Sequence, residues 1–249
     1  MLIDCHAHIS DPAFDGEREH LLDEACAAGL GTVVDCALGP DLLPSSFALA
    51  DARPDLVVNT LGCDPRETDE ETIEEVCQLA ERHRDRFVAL GEVGLDFARS
   101  EPAERERQRC VFARFIELAR DLELPLIVHS RSAGKHAVRQ LLDAGASRVL
   151  LHAYDGRAGP ALEGAKAGFV FSVPPRDTTQ KVKLVRALPL ESLALETDCP
   201  ALAPERGAVN IPANIVISRD LVARIKNVPP EDVASATTAT AGRLFDLPR

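Results

Sequence analysis

Eight short apolar runs, each followed by a stretch of helical periodicity, restrict this chain to very few folds. The runs are Leu2–His8, Thr32–Ala37, Leu56–Gly62, Phe87–Val93, Leu126–His129, Arg148–His152, Phe169–Val173 and Leu193–Asp198. They are nearly continuous in apolar residues, as expected of strands buried on both faces of a parallel sheet. Between them lie amphipathic stretches. Asp69–Asp85, capped by Asp69 or Thr68, places Ile73, Val76, Leu79 and Ala80 on one face. Pro102–Glu123 places Val111, Phe115, Leu118 and Leu122 at core spacing. Asn214–Ile225 and Glu231–Phe245 close the chain as helices. Eight βα units in 249 residues predict an α/β fold, a single (β/α)8 TIM barrel spanning residues 1–249. An open doubly wound sheet would want a Gly-rich phosphate loop after an early strand, and none is present.

Composition narrows the setting. With 45% hydrophobic residues the chain can fill a large core. No apolar run is long enough to span a bilayer, and the N-terminus lacks a basic-then-apolar leader, so a cytoplasmic enzyme is expected. The cysteines stand at 5, 26, 36, 63, 77, 110 and 199 without a C-x-x-C, which points to neither a disulfide framework nor a cysteine zinc site. The net charge of −12 argues against a broad basic surface. Nothing in the pattern indicates a dimer, and a monomer is the default.

The chemistry is concentrated where the strands end. Strand one ends in His6 and His8, strand four in Glu92, strand five in His129, strand six in His152 and strand eight in Asp198. In a parallel barrel these ends share one rim, where active sites form. Titratable groups closing apolar strands are costly to bury without a partner, and a cation is the natural one. The other histidines, His20, His83 and His136, fall in helices, where a surface role is expected. Four imidazoles and two carboxylates exceed one tetrahedral ion and suit two ions, with a carboxylate bridging metals about 3.5–4 Å apart. Imidazole favours zinc, manganese, cobalt or iron over calcium. Asp198 could both bind a metal and act as general base towards an activated water. If β1 alternates strictly, Asp4 shares a face with His6 and His8 and steadies an imidazole, while Ile3, Cys5, Ala7 and Ile9 take the other face.

Five segments carry a resemblance: Asp4-Cys5-His6-Ala7-His8, Gly91-Glu92-Val93-Gly94-Leu95-Asp96, Val128-His129-Ser130-Arg131, Leu151-His152 and Glu196-Thr197-Asp198-Cys199-Pro200. In that order they resemble the TatD family of metal-dependent deoxyribonucleases, a branch of the amidohydrolase-like barrels, over essentially the whole chain. The resemblance implies that His6, His8, Glu92 and Asp198 hold one metal, and that Glu92, bridging, holds the other with His129 and His152. It implies phosphodiester hydrolysis on DNA, often from the 3′ end, with magnesium or manganese commonly supplied; with the imidazole donors, two ions of zinc, manganese or magnesium are the expected cofactor and Asp198 and Glu92 the expected catalytic residues. The chain departs from the family at Gly62-Cys63-Asp64-Pro65, where Gly-x-His-Pro is common. It departs again at Tyr154-Asp155-Gly156, at Asn210-Ile211-Pro212 and within Thr237-Thr238-Ala239-Thr240.

Arg66, Arg99, Arg131, Arg157, Arg176 and Arg206 each sit in a different loop of the expected rim, among several acidic residues. Arginine forks match phosphate oxygens. Arg131, two residues past His129, is the best placed for substrate. Asp96 either orients a ligand or water or caps the next helix, and Tyr154 is a further substrate candidate. Single-stranded DNA or DNA 3′ ends are the expected substrate, with a small phosphodiester possible. The alternative is a metal-dependent enzyme of amidohydrolase type acting on a small amide, ester or lactone, because the same barrel site serves both chemistries. A barrel that binds metal without turning over substrate is a third reading.

Overall fold

The computed structural model describes residues 1–67 and 69–247. Its strands are β1 (Leu2–Ala7), β2 (Leu30–Leu38), β3 (Val57–Gly62), β4 (Phe87–Gly94), β5 (Leu126–His129), β6 (Val149–Leu151), β7 (Val170–Val173) and β8 (Leu193–Leu195). They form one parallel sheet in sequential order. The helices are α1 (Arg18–Ala27), α2 (Leu43–Ala52), α3 (Glu70–Arg82), α4 (Pro102–Asp121), α5 (Gly134–Asp143), α6 (Ala158–Lys166), α7 (Thr179–Ala187), α8 (Ile215–Lys226) and α9 (Pro230–Phe245). No helix among the described residues is long and apolar enough to cross a membrane.

Local chemistry accounts for the element ends. Asp69 caps α3 by accepting the Thr72 N–H at 2.9 Å. Thr68, the other expected cap, lies outside the described residues. In α4 the buried stripe runs through Gln108, Phe112, Phe115, Ile116 and Ala119. Val111, Leu118 and Leu122, expected at its centre, flank it half-buried. The helix is therefore rotated relative to the expected face, and the larger Phe112 ring takes the deep position. Strand eight ends three residues before Asp198, because the chain turns out of the sheet and Asp198 adopts a left-handed φ of 56°.

The core has two layers. Helix residues such as Leu22, Ile73, Phe112, Leu141 and Leu184 pack with outward strand residues, including Leu2, Ala7, Leu90 and Val93, and with Ile9 just past β1. A separate inner cluster fills the barrel with Ile3, Cys5, Val34, Cys36, Ala89, Ile127, Leu150, Val170 and Ala194. Ala241, Leu244 and Phe245 of α9 join that cluster, so α9 plugs the barrel at the N-terminal ends of the strands. Burying an aromatic such as Phe245 stabilises by about 1.5–3 kcal/mol. The plug leaves the opposite mouth as the open one.

Strict alternation fails in β1. Asp4 to Ala7 spans one residue more than its partner segment, Val33 to Asp35. Ile3 and Cys5 consequently face the barrel interior, while Ala7 and Ile9 face the helices. This corrects the single face expected for those four residues. The same device recurs in β4, where Leu90 to Val93 faces Leu126 to Val128. In each strand the extra residue lies just below the mouth and changes which side chains point inward.

The seam between the last strand and the first is closed above β8 by two backbone hydrogen bonds. Asp198 N–H donates to His6 O at 2.9 Å, and His8 N–H donates to Cys199 O at 2.8 Å. Below them the buried Asp4 carboxylate takes the place of a ladder rung. It accepts from Thr197 N–H (2.9 Å), Thr197 Oγ1 (2.5 Å) and His6 N–H (3.3 Å). Asp4 therefore steadies the backbone beneath the site, not an imidazole as expected.

Candidate metal centre

The two bulges and the seam bring six side chains together at the open mouth. His6 and His8 come from β1 and the residue after it, Glu92 from β4, His129 from the end of β5, His152 from just past β6, and Asp198 from beyond β8. Glycines let the backbone approach closely at Glu92 and His129. A Cβ at Gly62 would lie 2.2 Å from the Glu92 carbonyl oxygen, and one at Gly94 would lie 2.2 Å from the His129 carbonyl oxygen.

Glu92 divides its oxygens between two groups. Its Oε2 lies 3.2 Å from His6 Nε2 and 3.5 Å from His8 Nε2. Its Oε1 contacts His129 Nδ1 and lies 3.1 Å from His152 Nε2. Asp198 Oδ1 faces the first group, 3.3 Å from His6 Nε2 and 3.6 Å from His8 Nε2. His6 is fully buried, and Glu92, His152 and Asp198 are nearly so.

The donor set fits divalent cations. Ligand atoms of His6, His8 and Glu92 lie within 4.8 Å of one another, and so do those of Glu92, His129 and His152. His6 Nε2 is buried at the centre without a hydrogen-bond partner among the described residues. Burial alone would leave every one of these groups neutral. It opposes the charge on Glu92, yet the imidazoles of His152 and His129 outweigh it and hold that carboxyl well below its ordinary range. Burial likewise opposes the Asp198 charge, and the facing imidazoles of His6 and His8 win there too. Against burial, Glu92 and Asp96 push the His129 imidazole up to about 10. Burial and the neighbouring His6, stacked at 4.0 Å, push His152 down to about 4, which leaves its lone pair free. In the metal-free protein, protons supply the positive charge that the carboxylates demand.

The profile of the family described as TatD related DNase matches residues 3–246. The chain belongs to the TatD family. Human "Deoxyribonuclease TATDN3" is 40% identical over 258 residues, covering 98% of this chain and 94% of its own length. The metal-dependent hydrolase YabD of Bacillus subtilis is 30% identical over 256 residues, covering 99% of this chain and all of its own. The crystal structure of the TatD homologue YjjV from Escherichia coli superposes with a TM-score of 0.91 at 27% identity, over 99% of this chain and 98% of that one.

Around the centre of this TatD barrel the remaining candidates separate. Asp96 is buried, its Oδ2 3.7 Å from His129 Nε2 and 4.0 Å from Arg131, while its Oδ1 accepts the Ala98 N–H at 3.0 Å. It faces a ring nitrogen and does not cap α4, whose cap residue is Glu101. Arg131 is half-exposed at the rim. Tyr154, expected at the substrate, is only 3% exposed. Its ring meets Phe171 edge-on, and its hydroxyl donates to Arg157 O at 3.3 Å. A Cβ at Gly134 or Gly156 would collide with that ring. Tyr154 is thus a packing residue with almost no surface to offer a substrate. Arg66 is engaged by Asp64 at 2.6 Å, and Arg176 donates to Ala203 O at 2.9 Å. Arg99, Arg157 and Arg206 are exposed.

Two residues near the ligands escaped the sequence reading. Glu196 accepts from Ala153 N–H and Ser172 Oγ, and its Oε2 lies 3.8 Å from His152 Nδ1. Its position two before Asp198 was the available signal. Cys36 lies 3.1 Å from His6 Nδ1. No periodicity or motif marks it.

Proposed function

We propose that this chain is a divalent-metal-dependent deoxyribonuclease that hydrolyses phosphodiester bonds from the 3′ end of single-stranded DNA. The observation that carries the reading is the division of Glu92, with one oxygen turned to His6 and His8 and the other to His129 and His152. It supports a carboxylate shared by two cations. His6, His8, Glu92 and Asp198 would hold one, and Glu92, His129 and His152 the other. Imidazole-rich donors suit zinc or manganese, and the carboxylates of Glu92 and Asp198 admit magnesium. Bound there, such ions acidify a water and neutralise phosphoryl oxygens. The enzyme is taken to be cytoplasmic and monomeric; no helix among the described residues is long and apolar enough to cross a membrane.

The protein's own groups have separable tasks. Glu92 sets the spacing of the two halves. Asp198 lies at the mouth on the His6 side, ionised, and takes the proton of the attacking water as general base. The water oxygen bonds to phosphorus, the bond from phosphorus to the leaving sugar oxygen breaks, and that oxygen receives a proton from solvent, to which Asp198 releases the one it took. Arg131 reaches a phosphate oxygen from the rim, with Asp96 limiting its sweep. A chain of net charge −12 needs such local cations to hold DNA.

Incubation of the metal-replete protein with a 3′-labelled single-stranded oligonucleotide tests this. Progressive loss of label from the 3′ end is expected. A metal-replete protein that leaves the oligonucleotide intact, while hydrolysing a small ester or lactone, contradicts the DNA assignment.

A further inference from the structure

Cys36 touches both histidines of the first strand by different atoms. Its Sγ lies 3.1 Å from His6 Nδ1, and its backbone carbonyl lies 2.9 Å from His8 Nδ1. Thr60 Oγ1 lies 3.1 Å from the same sulfur and donates to Gly91 O at 2.7 Å. Cys36 and Thr60 are both completely buried. For Nε2 of either ring to present a lone pair to a cation, Nδ1 must carry the hydrogen and donate it. His8 has a carbonyl for that purpose. His6 Nδ1 faces the thiol.

We infer that Cys36 is a positioning residue that fixes the hydrogen-bonding state of His6 and, through Thr60, ties it to the backbone before Glu92. The inference rests on the reading that these side chains hold a metal. The direction of the chain follows from its last member. The Gly91 carbonyl only accepts, so the single Thr60 hydroxyl hydrogen goes to it. The Thr60 oxygen is then open to the Cys36 S–H, and the sulfur is open to the His6 Nδ1–H. Every donor then has an acceptor, and once a cation displaces the Nε2 proton this arrangement leaves His6 Nε2 bare towards Glu92 and Asp198. A carbon at the sulfur position would leave the buried Nδ1–H unpaired. The ring would then favour the opposite tautomer, with its hydrogen aimed at the metal position.

The test is calorimetric titration of Zn²⁺ alone into metal-free wild type, Cys36→Ser, Cys36→Val and Cys36→Ala, with a thermal melt of each metal-free protein. Serine keeps a group that both donates and accepts, valine keeps volume without either, and alanine covers the case of a valine variant that does not fold. Cys36→Val and Cys36→Ala are expected to weaken zinc binding on the His6 side by about 10–100-fold. Cys36→Ser should restore most of that loss. The step belonging to Glu92, His129 and His152 should be unchanged in all. Valine or alanine variants that bind zinc as wild type does overturn the relay and leave the metal centre standing. So does a serine variant as weak as they are, because sulfur would then serve only packing. A wild type that takes up no zinc overturns the metal centre and the relay together.

Discussion

Thr197 is joined to Asp4 twice, by its N–H to Oδ1 at 2.9 Å and by its hydroxyl to Oδ2 at 2.5 Å. The two residues lie 193 positions apart and bind the last strand to the first directly beneath His6 and Asp198. Replacing Asp4 by Ala would leave the Thr197 N–H and hydroxyl buried without an acceptor. The expected cost is roughly 2–5 kcal/mol of unfolding free energy, read by denaturant titration of metal-free protein. Asp4→Asn should cost less, because its amide oxygen still accepts. An unchanged midpoint in Asp4→Ala would show that the seam is held by its backbone bonds alone.

Asp198→Asn should separate binding from chemistry. The amide oxygen can still face His6 and His8, but it is a poor proton acceptor. Cleavage is expected to fall by about 10²–10⁴-fold. Metal on the Glu92, His129 and His152 side should be retained. Full activity in this variant would remove Asp198 as the base.

Metal uptake should release protons. In the metal-free protein the His129 imidazole stays protonated up to about 10, and His6 and His8 are also held above their ordinary range. In His6 and His8 burial opposes this, and Asp198 and Glu92 are among the groups that overcome it. Near neutral pH a cation must displace those protons, so affinity should rise with pH, about tenfold per unit for each proton released. Calorimetry of zinc binding in buffers of different ionisation enthalpy counts them. A heat independent of the buffer would mean that these imidazoles are already neutral.

Arg131→Ala addresses the substrate alone. The guanidinium is half-exposed and contacts Asp96, and as a donor-only cation it offers no lone pair to a metal. Loss of one charge-assisted phosphate contact, worth about 1.5 kcal/mol, should raise KM roughly tenfold. Metal content and the kcat of saturated enzyme should be unchanged. Kinetics identical to wild type would exclude Arg131 from the phosphate path.

The barrel was legible because eight apolar runs alternating with helices admit few folds, and the rim was legible because titratable residues ended those runs. The facing of the strands was not. A bulge adds one residue without changing residue types, so Ile3 and Cys5 read as facing the same way as Ala7 and Ile9, although the extra residue before Ala7 separates them. Tyr154 read as a substrate residue because it follows His152 closely, yet its ring packs on Phe171. Cys36 looked like any small buried residue, since its role depends on a sulfur meeting a nitrogen thirty positions away.

The most direct measurement is metal content by elemental analysis of wild type and Glu92→Ala prepared side by side under metal-replete conditions. Among the described residues, Glu92 is the one side chain that contacts all four imidazoles of the site. The account predicts about two equivalents in wild type and loss of both in the variant, with the metal-free fold intact. A variant that keeps its full complement, or a wild type with none, would contradict a centre organised on Glu92.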